Sequence, residues 1–172
     1  MNSLIHPFRT PYATAPFEEI KNEDFLPAFT ELIKISEKEI DNIAHNPETP
    51  TFENTIEAMA FSGAQLDRVS SIFFNLNSAE TNDEIQQIAQ EVSPLLTEFS
   101  SKISQNEALF GRIKNVYDKK ETYTLNEEQQ TLLDETYKGF VRSGALLSET
   151  DKKKLQEIDI QLSKKTLQFG QN

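Results

Sequence analysis

The 172 residues carry 28 acidic against 17 basic side chains, a net charge of −11, with no cysteine and no tryptophan. The lysines are interleaved with Glu and Asp, so the concentrated basic surface needed to bind phosphates is missing and nucleic acid is excluded as a partner; the same acidity disfavours an anionic membrane, and no window reaches about 18 consecutive apolar residues. Without thiols there is neither a disulfide framework nor a thiolate ligand or nucleophile, which suits a cytoplasmic protein, while 37% hydrophobic residues including twelve Phe can fill the core of one domain or of part of a larger one.

Six of the seven prolines fall in the first fifty residues, and three of them punctuate an opening that is too proline-rich for helix. Residues 1–21 are therefore expected to form an extended N-terminal arm, with Phe8, Tyr12 and Phe17 docking into grooves between helices. The opening MNSLIHPFRTPYATAP has neither the charged start nor the apolar run of a signal peptide, so no export signal is expected. Residues 22–172 read as a helical domain. Its first helix starts near Asn22 to Asp24, where acidic residues suit the positive end of the dipole and Pro27 is tolerated in the first turn. Phe25, Phe29, Leu32, Ile33, Ile40 and Ile43 give that helix its core stripe, and Pro47 and Pro50 end it.

Thr51 is placed to cap a long second helix over 51–76, in which Ile56, Met59, Leu66, Val69, Phe73 and Leu76 recur at steps of three and four. At 1.5 Å per residue this helix spans roughly 35 to 40 Å, and the rest of the chain reads as its packing partners. Gly63 falls in its middle at a cost of about 1 kcal/mol relative to Ala, which points to close approach of another helix backbone, with a kink as the alternative. Of the adjacent Phe73 and Phe74, one ring must face the core.

After Leu76, Thr81 and Glu84 are spaced as a capping box for a helix that continues through a kink at Pro94. Ser104 and Glu107 form a second box, opening a shorter helix through Ile113 and Tyr117. A fifth helix carries Leu133, Tyr137 and Phe140 and stops near Gly144. Ser148 caps a sixth, with Lys152 to Lys154 on its wet side, which runs to Phe169 with Gly170 as terminator. No alternating strand is present and helix exceeds two-thirds of the chain. The fold class is all-α, an elongated multi-helix bundle.

The search for chemistry comes back empty. His6 and His45 have no partners at ligand spacing, and there is no HExxH helix, phosphate loop, GxGxxG or GxSxG elbow. No catalytic, metal or cofactor-binding residue is assigned. Asn75, Asn77, Glu80 and Thr81, in the turn after the long helix, are the residues to watch, with a structural turn role expected of them ahead of substrate contact.

Four blocks in order, FEEIKNEDFLPAF at 17–29, TFENTIEA at 51–58, LNSAETNDEI at 76–85 and GFVRSGALLSETDKKKLQEIDIQLSKKTLQFGQN at 139–172, resemble the N-terminal region of the M3 family of zinc oligopeptidases, most of all its bacterial peptidyl-dipeptidase and oligopeptidase A branch. The resemblance implies the N-terminal helical region of a neurolysin-like fold, one wall of a substrate channel in a larger zinc metallopeptidase that hydrolyses short peptides. It implies as partners the C-terminal catalytic part of the same polypeptide and short peptide substrates. The family's zinc site, an HExxH helix with a further glutamate, lies outside this chain, so zinc is implied for the full-length parent and not for these residues, which alone are expected to be inactive. Whether the parent removes dipeptides or cuts internally is not encoded here. The alternative from another class is a stand-alone helical protein-interaction module without catalysis.

Overall fold

Phe, Leu and Ile at helical spacing build helix almost everywhere: in the computed structural model, which describes residues 2–170, 77% of the described residues are helical and no strand occurs among them. The α-helices are α1 (Phe25–Ala44), α2 (Ala58–Phe61), α3 (Ala64–Ala79), α4 (Asp83–Ser104), α5 (Glu107–Asp118), α6 (Glu127–Arg142) and α7 (Glu149–Gly170). The terminator role expected of Gly170 concerns residues that lie outside the described ones. The chain divides into two compact units, the first made of residues 1–36, 63–97 and 160–172, the second of 37–62 and 98–159.

The long helix over 51–76 is not continuous. Thr51 caps it as expected, its hydroxyl accepting from the Asn54 amide at 3.2 Å while Asn54 Oδ1 accepts from the Thr51 amide at 2.8 Å, but the first six residues, Phe52–Glu57, wind as a π-helix. After α2 the chain breaks: Ser62 is extended, at ψ 151°, its hydroxyl donating to the Met59 carbonyl at 2.7 Å, and Gly63 takes φ +73°. Glycine is there for its backbone freedom, because a side chain in the left-handed region costs about 1 kcal/mol or more. No helix backbone crosses it, since a Cβ on Gly63 would meet only Ser36 Oγ at 3.7 Å. The break falls where the chain passes from the second unit to the first.

Two caps are displaced from their expected positions. Asn82 Oδ1, not Thr81, accepts from the Ile85 amide at 3.0 Å, and Asn106 Oδ1, not Ser104, accepts from the Leu109 amide at 2.9 Å. In both cases an asparagine stands nearer the first helical residue, and it caps at least as well as the hydroxyl it replaces. Ser104 is still inside α4, its hydroxyl turned back to the Ser101 carbonyl at 3.2 Å. Ser148 caps α7 through the Asp151 amide at 3.2 Å, as its position indicated. α4 runs on through Pro94.

The first unit has an aromatic heart. Phe25 and Phe29 of α1 meet Phe73 of α3 at ring-centre separations of 5.0 and 5.5 Å, and Phe74, half-buried, packs edge-on against Phe73 at 5.2 Å. Such pairs add about 0.5–1.5 kcal/mol each beyond their burial. The arm docks here through the fully buried Leu4 and, of the three aromatics expected, through the half-buried Phe8, whereas Tyr12 is 99% and Phe17 59% exposed. Arg68 of α3 fastens the arm by donating from Nη2 to the carbonyls of Leu4, at 3.1 Å, and His6, at 2.9 Å, with its guanidinium 4.5 Å above the Phe8 ring.

The core of the second unit is built from Ile40, Ile43, Phe52, Ile56, Ile113 and Val116 with Leu133 and Phe140 of α6. Tyr117 and Tyr137 stack at 3.9 Å, and Phe110 stacks on Tyr137 at 5.8 Å.

Candidate functional site

A site must be sought first among groups that could do chemistry. Among the described residues no group of three or more His, Cys, Asp or Glu is arranged to hold a metal ion. His6 is exposed and enters the structure through its carbonyl, and His45 Nδ1 lies 3.0 Å from the Asp41 carbonyl one helical turn back. The residues present do not fit the zinc that the family resemblance implies for the parent, and no chemical step is derived through it here. Among the described residues no helix is long and apolar enough to cross a membrane.

Lys152 departs from the expectation of a wet helix face. Its side chain is only 4% exposed, and its Nζ donates to Glu107 Oε1 and to Glu149 Oε1, each at 2.9 Å, while Gln105 Nε2 donates to the Lys152 carbonyl at 3.3 Å. Hydrogen bonds to Glu149 and Glu107 outweigh burial and raise the lysine pKa above its ordinary range; Lys152 in turn holds the Glu149 carboxyl below its own. The partner Glu107 sits on a different helix, so the triad is invisible at i,i+3 spacing alone. Only Lys153 and Lys154 of the run lie on the wet side.

A second buried cation went unmarked in the sequence. Arg112 of α5 donates from Nη1 to the carbonyls of Asn46, at 2.7 Å, and Glu48, at 3.0 Å, and from Nη2 to Asn54 Oδ1 at 2.9 Å. Asn54 thereby joins the π-helical turn, the α1 exit loop and α5 in one node. Every contact in it is to backbone carbonyls or to an amide, which assigns it to holding the loop and leaves no group for catalysis.

The turn between α3 and α4 is different. Of the four residues singled out there, Asn77 and Thr81 face each other, the Thr81 hydroxyl 3.4 Å from Asn77 Oδ1. Asn75 and Glu80 instead line a groove of about 530 Å³ in the first unit, whose floor is Phe25, Leu76 and Ile85 and whose near wall is Phe17 and Ile20 of the arm. Asn22 and Asn82 complete its polar rim, Asn22 Nδ2 donating to Glu84 Oε2 at 2.8 Å. The signal for this groove in the sequence was the cluster of amide and carboxylate side chains between two amphipathic helices.

The last feature is a face without a partner. On α7, Leu162 and Phe169, seven residues apart and therefore on one side of the helix, are 59% and 84% exposed, and Ile158 one turn earlier is exposed as well.

Residues 29–153 match the family described as Neurolysin/Thimet oligopeptidase, N-terminal domain. The chain is 37% identical over 171 residues to a dipeptidyl carboxypeptidase of Escherichia coli (strain K12), an alignment covering 99% of this chain and 25% of that protein. It is 27% identical over 169 residues to oligopeptidase A of the same organism, covering 98% of this chain and 25% of the relative, and 28% identical over 155 residues to a thimet-like oligopeptidase of Dictyostelium discoideum, covering 87% and 23%. The chain thus spans about a quarter of the length of the curated relatives it matches. Its all-helical fold and its match over nearly all of its length to proteins named as peptidases make it a member of the M3 peptidase family, in the region of the neurolysin/thimet oligopeptidase N-terminal domain.

Proposed function

We propose that this chain is the N-terminal helical part of a longer cytoplasmic zinc metallopeptidase that hydrolyses short peptides, and that it supplies one wall of the substrate channel. The observation that carries the reading is the bare apolar face of α7, where Leu162 and Phe169 are more than half exposed. Burying such side chains is worth about 1.5–3 kcal/mol each, so a face of this kind calls for a cover. The relatives named as peptidases are about four times as long, and the cover proposed for this face is a later part of the same polypeptide. On this reading zinc is held by residues outside the present chain, and the helices here limit entry to short peptides by shape.

The experiment is to read the gene past residue 172 and to express residues 1–172 and whatever follows as two chains. An HExxH motif downstream, with zinc-dependent cleavage of a short peptide that needs both chains and is absent from either alone, is the expected result. A stop codon directly after residue 172, or a remainder that is fully active and never co-purifies with this chain, overturns the reading and favours a stand-alone interaction module.

A further inference from the structure

We propose that the groove beside the α3–α4 turn is a binding subsite for a peptide segment in which an apolar side chain is followed or preceded by a positive charge. The choice of a peptide as ligand rests on the peptidase reading above; the chemistry of the groove supplies the rest. Its volume of about 530 Å³ falls inside the range of roughly 300–1,000 Å³ that accommodates small ligands. The apolar surface that Phe17, Leu76 and Ala79 offer, over the buried Phe25 and Ile85, suits a side chain the size of Leu or Phe.

The rim decides the charge. α3 points its carboxyl end at the groove, and its last turn contains no basic residue to offset the carbonyl end of the dipole. Glu80 follows directly and, among the described residues, its carboxylate has no ion-pair partner. The opposing amino end of α4 would attract an anion, but Asp83 and Glu84 in its first turn already occupy that role. No lysine or arginine lines the groove. An ammonium or guanidinium at the rim therefore meets the α3 carbonyl end and Glu80 together, and an acidic ligand meets like charge. Asn75, whose side chain makes no hydrogen bond to another described residue, offers an amide to the peptide backbone.

The test is an NMR titration of the 172-residue chain with the probe Lys-Phe-amide, followed at the backbone amides of Asn75, Leu76, Ala79 and Ile85. Saturable shifts at these four positions are expected. Glu80→Gln, an exposed turn residue whose replacement leaves the core untouched, weakens binding about fivefold, in line with a single solvent-facing ion pair, and Glu80→Lys weakens it further. Glu-Phe-amide binds more weakly than Lys-Phe-amide. Absent or non-saturable shifts, shifts confined to other parts of the chain, or equal binding of Glu-Phe-amide overturn the proposal. A failure here leaves a downstream HExxH motif standing, and a stop codon after residue 172 leaves the titration unchanged, so the two readings fail separately.

Discussion

Both units use an arginine to hold loop carbonyls, Arg68 in the first and Arg112 in the second, but they differ in what they do with their other polar groups. In the second, charged side chains are drawn inside and used up: Arg112 satisfies two loop carbonyls and Asn54, and Lys152 is enclosed between Glu107 and Glu149. In the first, the interior is aromatic, closed by Phe25, Phe29 and Phe73, and the polar side chains of the α3–α4 turn stay at the rim of an open groove. The Arg112 guanidinium is buried and its Nη1 and Nη2 bonds go to groups of the chain, whereas Asn75 and Glu80 line an open groove. The contrast separates residues that hold the fold from residues available to a partner.

The sharpest way to break this contrast is at Arg112. Arg112→Met keeps much of the aliphatic stem but leaves the Asn46 and Glu48 carbonyls without their donor, while Asn54 Oδ1 loses one donor and keeps the Thr51 amide. Loss of these charge-assisted bonds should destabilise the chain by about 3 kcal/mol in urea denaturation. A variant as stable as the parent would mean that water replaces the guanidinium and that the node does not hold the loop.

Two glycines test the backbone side of the comparison. Gly144, in the second unit at φ +89°, closes α6, and a Cβ there would come within 2.8 Å of Leu147 Cδ1 and 2.9 Å of Leu155 Cδ2. Gly63, in the first unit at φ +73°, has its nearest such contact at 3.7 Å. Both Ala substitutions carry the left-handed strain of about 1 kcal/mol, and Gly144→Ala should add the displacement of two leucine methyls, for about 2 kcal/mol in all. Equal losses at the two positions in thermal melts would remove the steric difference between them.

How much of this was legible follows from what each signal depends on. The apolar stripes of α1 and α3 predict Phe25, Phe29 and Phe73 in the core because periodicity is a local property, and all three are buried. Thr51 and Ser148 were readable as caps because a cap acts within three residues. The interruption at Ser62–Gly63 was missed because the apolar spacing carries on across it, so periodicity alone cannot register a reversal of φ at one residue. Arg112 and Lys152 were out of reach for another reason: the partners that enclose them, Asn46 for the one and Glu107 for the other, lie 66 and 45 residues away, and nothing local distinguishes a buried cation from a solvated one. The groove was half legible, since the turn residues were marked, but of the arm residues that wall it Phe17 was assigned to docking between helices and Ile20 was not marked.

Lys152 gives a smaller effect with a pH signature. Its folded-state proton is held more tightly than in the unfolded chain, so its contribution is complete below the unfolded pKa of about 10.4 and disappears as pH rises through the higher folded value. The lowered Glu149 carboxyl contributes fully above about 4.3 and loses its contribution as pH falls through the lower folded value. Lys152→Met should cost about 1 kcal/mol at neutral pH, because both carboxylates remain largely in water, and should flatten the decline in stability on the alkaline side. An unchanged alkaline limb in denaturation curves would detach Lys152 from it.

The smallest effect on this chain is expected at the exposed face of α7, and that smallness is the point of the experiment. Phe169→Ser and Leu162→Ser remove side chains that are 84% and 59% exposed, so little burial is lost and the stability of residues 1–172 should shift by no more than about 0.5 kcal/mol. A cover laid over this face by later helices would reverse the outcome: the same substitutions would then forfeit about 1.5–3 kcal/mol of burial each and weaken reassembly of the two separately expressed chains by an order of magnitude or more. Arg112→Met behaves the other way, destabilising residues 1–172 directly whether or not the remainder is present. Measuring both variants in both settings therefore distinguishes a surface kept for a partner from a scaffold group. A Phe169→Ser chain that reassembles as tightly as the parent would leave the α7 face uncovered in the longer protein and would shift the search for the contact surface to the groove at the α3–α4 turn.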